Sequence, residues 1–205
     1  MKRIFFEIMD ILSLSRNRQI DLFEKILSKY SESNRHYHNF RHIKEMWNLI
    51  ELNIGKSPKY SLLFLSCLYH DIIYDSKSKT NEEDSFLELK ADFQKVLLKH
   101  ELDECKYLIQ GTKTHNFLQD SYEHKLFLDS DLAILGSSEM RYSEYSSAIR
   151  KEYSWVSDEV YKIERVKVLE KFLTREKIYY TNIMQQNFEE KARENLMSEI
   201  KSLTE

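Results

Sequence analysis

The stretch Leu62-Leu63-Phe64-Leu65-Ser66-Cys67-Leu68-Tyr69-His70-Asp71 is apolar almost without a break and then ends on two metal-ligand side chains. A run this continuously apolar, extended to Ile73, reads as a central helix rather than as one with a single wet face. His70 and Asp71 then lie at the end of a core helix, where burying them unpaired is costly. A divalent cation satisfies both, because neutral imidazole and carboxylate are good ligands for Zn, Mn, Fe or Co. Neighbouring helical residues point about 100° apart, so a shared ion must lie between their directions. A His-Asp dipeptide is expected by chance about 0.4 times in a chain of this content, so its surroundings must carry the reading.

Outward from this run, apolar residues recur at three and four, as in Ile43, Met46, Trp47, Ile50 and in Phe86, Leu89, Phe93, Val96. That period predicts amphipathic helices. Further helices are predicted over 4–12, 22–30, 102–109, 142–149, 160–173 and 192–200. Ser57-Pro58 suits a helix start, Asp75 to Asn81 is a polar stretch before a Glu-rich first turn, and Gly136-Ser137-Ser138 is a break. Glu189 and Arg193, at i,i+4, read as a solvent-facing pair.

Composition agrees with an all-α fold. Among 205 residues there are only 3 Gly and 1 Pro, far fewer turn residues than an all-β or α/β chain needs. With 41% hydrophobic and 32% charged residues, the chain can build a core and stay soluble. No linker is evident, so one domain over 1–205 is expected, with a core of motifs at about 30–135 and C-terminal helices, 138–205, packed on it. A net charge of -3 leaves no electrostatic footprint for nucleic acid or an anionic membrane. Cys67 and Cys105 are too few for a disulfide scaffold, and a reducing cytoplasm fits them. The start, Met1-Lys2-Arg3 before Ile4-Phe5-Phe6, imitates a signal peptide, but Glu7 and Asp10 interrupt it, which favours an amphipathic helix. No apolar run approaches the ~18 residues of a transmembrane helix.

Histidine is the informative residue. Of 7 in the chain, His36, His38 and His42 fall within one short stretch, the last two in Tyr37-His38-Asn39-Phe40-Arg41-His42-Ile43. His38 and His42, four apart, would stack on one helical face, so that one ligates while the other faces substrate. In Phe127-Leu128-Asp129-Ser130-Asp131-Leu132 the two acids would point in nearly opposite directions on a helix, so one faces the site. Asp131 is the expected ligand and Asp129 the expected cap or surface acid, although a one-step register change would exchange them. His36, His100 and His124 lie in polar surroundings and read as surface residues. The 13 Tyr and 11 Phe, at helical spacing, read as core rather than as a base-stacking surface.

The order His42, His70-Asp71, Asp131 resembles the H…HD…D signature of the HD superfamily, an all-α fold whose members mostly hydrolyse phosphate esters. Tyr37-His38-Asn39-x-x-His42 is similar to the YHNxxH motif of cyclic-nucleotide phosphodiesterases, and Asp131-Leu132 to the pair at their last ligand aspartate. The extended pattern also resembles a bacterial branch known as predicted metal-dependent HD phosphohydrolases. It is matched by His70-Asp71-Ile72-Ile73-Tyr74-Asp75, Asn81-Glu82, Thr112-x-x-His115, Phe127-Leu128-Asp129-x-Asp131-Leu132-Ala133-Ile134-Leu135-Gly136, Ile149-Arg150-x-Glu152-Tyr153 and Arg165, spanning roughly 30 to 200. The phosphodiesterases carry histidine three positions after the HD pair, where this chain has Tyr74, and their purine-clamping glutamine has no counterpart here. A cyclic-nucleotide substrate therefore does not follow.

The resemblance implies a metal held by His42, His70, Asp71 and Asp131, with Asp71 as bridging and catalytic ligand and His38 as general acid. One or two divalent ions per chain (Mn, Fe, Zn, Mg, Co or Ni) would activate water against a phosphomonoester or phosphodiester of a nucleotide or small phosphorylated metabolite. His115 could add a second-metal ligand or phosphate contact. Asp75 and Glu82 could orient water or the ligating histidines, or cap a helix start. Arg150 and Arg165 suit bidentate phosphate contacts, or ion pairs with Glu152 or Glu164. A non-catalytic metal- and nucleotide-binding module is the alternative, and a di-iron oxygenase a further one, for which His115 is the only obvious extra donor. Neither nucleic acid nor membrane is an expected partner, and a homodimer is left open.

Overall fold

The computed structural model describes residues 1–205, which form ten α-helices and one 3-10 helix, with no strand. The all-α expectation holds. No helix is long and apolar enough to cross a membrane. Two compact units are distinguished, Met1–Leu128 and Asp129–Glu205.

The first unit is built around α4, Tyr60–Tyr69, in which every residue from Leu63 to Tyr69 is buried. It contacts α3 (Phe40–Ile54), α5 (Asn81–Phe93) and α6 (Lys99–Thr112). On α3 the buried residues Ile43, Met46, Trp47 and Ile50 follow the predicted stripe, and Trp47 meets Phe64 of α4 edge to face with ring centroids 4.8 Å apart. α1 (Lys2–Ile11) is amphipathic as expected, burying Ile4, Phe5, Ile8 and Met9; α2 (Arg16–Tyr30) is capped by Ser15.

α4 is shorter than the apolar run implied. It stops at Tyr69, with His70 as its C-cap, instead of continuing to Ile73. A helix end leaves orphan carbonyls that must find donors when buried. Here the Tyr30 hydroxyl donates to Leu68 O at 2.9 Å, and His70 Nδ1 lies 3.0 Å from Cys67 O. Ser85 of α5 bonds both Ile73 N and Ile73 O, which turns the chain away from the helix axis.

α7, Tyr122–Asp131, runs from the first unit into the second. The second unit continues with the 3-10 helix Leu132–Gly136, then α8 (Glu139–Glu152), α9 (Asp158–Leu173) and α10 (Asn182–Thr204). Ser138 and Ser157 cap α8 and α9 by accepting from Arg141 N and Val160 N. α10 lies against the 3-10 helix closely enough that a Cβ on Gly136 would stand 2.5 Å from Phe188 O. Glu189 is not the solvent-facing residue its i,i+4 spacing suggested. It is buried, and accepts from Ile178 N and Tyr179 N as well as from Arg193.

Candidate metal centre

Asn39 organises the first part of the site. Its side chain accepts from Arg41 N and makes it the N-cap of α3. His42 therefore sits in the first turn of α3, whereas His38 lies before the helix and not one turn along it, so the two do not stack on a helical face as expected. Their ring centroids are 6.1 Å apart at 76°. His38 is half-buried and stacks instead on Tyr74, 4.2 Å between centroids and 25° between planes.

His42 and His70, 3% and 1% exposed, bring their Nε2 atoms to 3.2 Å. Asp71 Oδ2 lies 3.0 Å from His70 Nε2 and 3.7 Å from His42 Nε2. Asp131, the last residue of α7, forms with His42 and His70 a group whose ligand atoms all lie within 4.8 Å of one another. Two donors each about 2.1 Å from one ion stand about 3.0 Å apart when cis and about 4.2 Å when trans, so the three inner separations suit a common cation.

Proton placement points the same way. A carbonyl only accepts, so His70 Nδ1 carries the proton donated to Cys67 O, and Nε2 of the neutral ring presents a lone pair toward Asp71. A lone pair facing a carboxylate oxygen at 3.0 Å is resolved by a proton or by a cation. The Tyr37 hydroxyl, 3.1 Å from His42 Nδ1, gives the second ring the same kind of outer partner. Burial pushes the Asp71 carboxyl up; where a proton rather than a cation lies between His70 and Asp71, the charge and hydrogen bond of His70, with His38 and His42, outweigh burial and hold Asp71 well below the usual carboxylate range. Two imidazoles and two carboxylates together neutralise a divalent ion, and the mixed N/O set suits Mn, Fe, Co, Ni or Zn.

The remaining candidates go elsewhere. Asp129 is buried rather than at the surface and is a capping group: it accepts from Tyr180 N, Thr181 N and Thr181 Oγ1 just before α10. Asp75 is exposed, accepts from Lys77 N and exchanges bonds with Asn81 through its backbone. Glu82 lies 3.7 Å from Lys113 in the first turn of α5. His115 stands outside the His42–His70–Asp131 group, in a turn with φ of 51°, a conformation for which His is one of the more tolerant residues.

Arg150 pairs with Asp158, not Glu152, and Arg165 is buried in a two-pronged contact with Glu199, not Glu164. His124 is also unlike its expectation: it is 1% exposed and bonded at 2.8 Å to Glu104, which Lys59 also reaches. Sequence reasoning passed over Arg35, whose guanidinium is entirely buried beneath the site, and gave Tyr37 no role although it begins the quoted motif. Local spacing shows only its pairing with Glu32, because the carbonyls that tie Arg35 to the site, Asp71 O and Ile72 O, are 36 and 37 residues away. No family model, curated protein or solved structure matches the chain.

Proposed function

We propose that this chain is a metal-dependent phosphohydrolase of the HD type, acting in a reducing cytoplasm on a phosphomonoester or phosphodiester such as a nucleotide or small phosphorylated metabolite. The observation that carries the reading is the convergence of His42 Nε2, His70 Nε2 and Asp71 Oδ2 at 3.0 to 3.7 Å, with Asp131 grouped with the same two histidines. Two buried imidazoles alone would be satisfied by one shared proton. The carboxylate set against the unprotonated edge of His70 is what favours a cation.

His42, His70, Asp71 and Asp131 would hold the ion. When bound, a divalent cation supplies Lewis acidity, making water a better nucleophile near neutral pH and drawing charge from phosphoryl oxygens. Asp71, a carboxylate ligand, has lone pairs left to orient a water by hydrogen bonding. His38 is outside the ligand set, and its ring is held by Tyr74 at the edge of the cluster, where it can give a proton to a leaving oxygen.

The test is hydrolysis by protein reconstituted separately with Mn, Fe, Zn, Mg, Co and Ni. The substrates are p-nitrophenyl phosphate, bis-p-nitrophenyl phosphate and a panel of mono- and cyclic nucleotides. Turnover that needs the metal and is lost in Asp71→Ala is the expected result. Tight nucleotide binding without turnover under every metal would replace this reading with a binding module, and iron-dependent oxygen uptake would replace it with an oxygenase.

A further inference from the structure

We infer that Arg35 is the positioning residue of this site, fixing the general-acid candidate His38 relative to Asp71; its chemical consequence rests on the phosphohydrolase reading. Arg35 lies in the segment between α2 and α3, and its side chain is 0% exposed. Nη1 donates to Asp71 O at 2.6 Å and to His38 O at 3.2 Å, Nη2 donates to Ile72 O at 2.8 Å, and Nε donates to Glu32 at 2.9 Å. One planar group therefore joins the loop that carries His38 to the turn that carries Asp71.

The same guanidinium orients the His38 ring. Its carbon lies 5.1 Å from the Tyr30 ring centre and 5.7 Å from that of Tyr74, and Tyr74 stacks on His38. Backbone position and ring orientation of His38 thus both lead to Arg35. The residue type follows from geometry: the three carbonyls are met by the two terminal nitrogens of a rigid fork, Nη1 and Nη2, which the single nitrogen of lysine cannot reproduce. None of its observed bonds points to a substrate, so Arg35 acts through His38 and Asp71.

The consequence is kinetic. A displacement of about 1 Å in a reacting group can cost about 100-fold in rate. Loss of a general acid is felt most where the leaving group most needs a proton, so phenyl phosphate should suffer more than p-nitrophenyl phosphate.

The experiment compares full-length wild type, Arg35→Lys, His38→Asn and the double variant, all with Mn(II). Arg35→Lys is expected to bind Mn(II) and to lose about 30- to 100-fold in kcat with KM nearly unchanged, the pattern of an interaction used only in the transition state. The loss should be larger for phenyl phosphate, and the double variant should be no slower than His38→Asn. Equal losses for both esters, or effects that multiply, would overturn the inference. If wild type turns over neither ester, the phosphohydrolase reading fails for these substrates, and histidine-ring NMR of the same proteins without Mn(II) decides about Arg35 independently. His38 signals, assigned by their loss in His38→Asn, should move in Arg35→Lys while those of His124 stay; unmoved His38 signals overturn it. If Arg35→Lys does not fold, Tyr74→Leu breaks the same stack and must give the same leaving-group signature, with Tyr74→Phe restoring it.

Discussion

Asp129 and Asp131 stand two residues apart at the end of α7 and serve different partners. Asp129 holds Tyr180 N and Thr181 N at 2.8 and 2.7 Å, while Asp131 joins His42 and His70. Two steps along a helix turn a side chain by about 200°, which separates the two. Asp129→Asn should therefore lose about 1.5 to 3 kcal/mol of stability, the range for hydrogen bonds to a charged group, and keep its metal. Asp131→Asn should melt within about 0.5 kcal/mol of wild type and lose metal affinity. Thermal melts of the apo proteins and calorimetry with Mn(II) check both, and an exchange of the two phenotypes would reverse the ligand assignment.

Acid sensitivity should trace in part to Glu199. Burial pushes its carboxyl up, but the hydrogen bonds and charge of Arg165, with hydrogen bonds from Tyr142 and Ser146, bring it below the ordinary 4.5. A carboxyl lowered in the folded state stabilises the fold above its unfolded pKa, and that contribution is lost as pH falls through the lower folded value. Urea unfolding at a series of acid pH values should show a slope that Glu199→Gln reduces. Arg165→Leu leaves Glu199 buried without its cation and should cost about 3 to 5 kcal/mol.

Gly136 should resist even alanine. The added Cβ would meet Phe188 O at 2.5 Å and Phe188 Cα at 2.9 Å, and backbone cannot give way as a flexible side chain can. Gly136→Ala is expected to lose about 1 to 3 kcal/mol through overpacking, whereas Gly55→Ala, with open space around it, should lose a similar amount through backbone strain alone, because φ 61° with ψ −143° is a conformation essentially kept to glycine. Denaturant midpoints for the two variants test both.

His38→Asn should retain metal and fold while losing about 10²–10⁴-fold in turnover of a poor leaving group. Its ring stacks on Tyr74 and belongs to no set of ligand atoms in the His42–His70–Asp131 group. Steady-state kinetics on phenyl phosphate with metal content measured in parallel separates this from loss of the ion.

What could be read from the sequence was what depends on near neighbours. The 3.6-residue stripe of Ile43, Met46, Trp47 and Ile50 located α3, and the unbroken run before His70 located the buried helix whose end carries the site. Helix geometry alone sends Asp129 and Asp131 apart, but which of the two faces the histidines was implied by the resemblance of Asp131-Leu132 and not by the spacing. What depends on distant partners was not legible. His124 looked exposed because its partner Glu104 is 20 positions away, and Glu189 looked solvent-facing because the Ile178 and Tyr179 amides it accepts from are not evident in an i,i+4 pattern. His38 was misplaced for a local reason: Asn39 caps α3 one residue later, so the helix starts after His38.

Elemental analysis by mass spectrometry tests the metal centre most directly, on wild type and Asp71→Ala after reconstitution with each transition ion and dialysis. Wild type is expected to retain about one or two ions per chain, and the variant, folded by its melt, to retain none. A wild type that holds no transition ion, or a variant that holds as much as wild type, would contradict the assignment of His42, His70, Asp71 and Asp131 as a metal site.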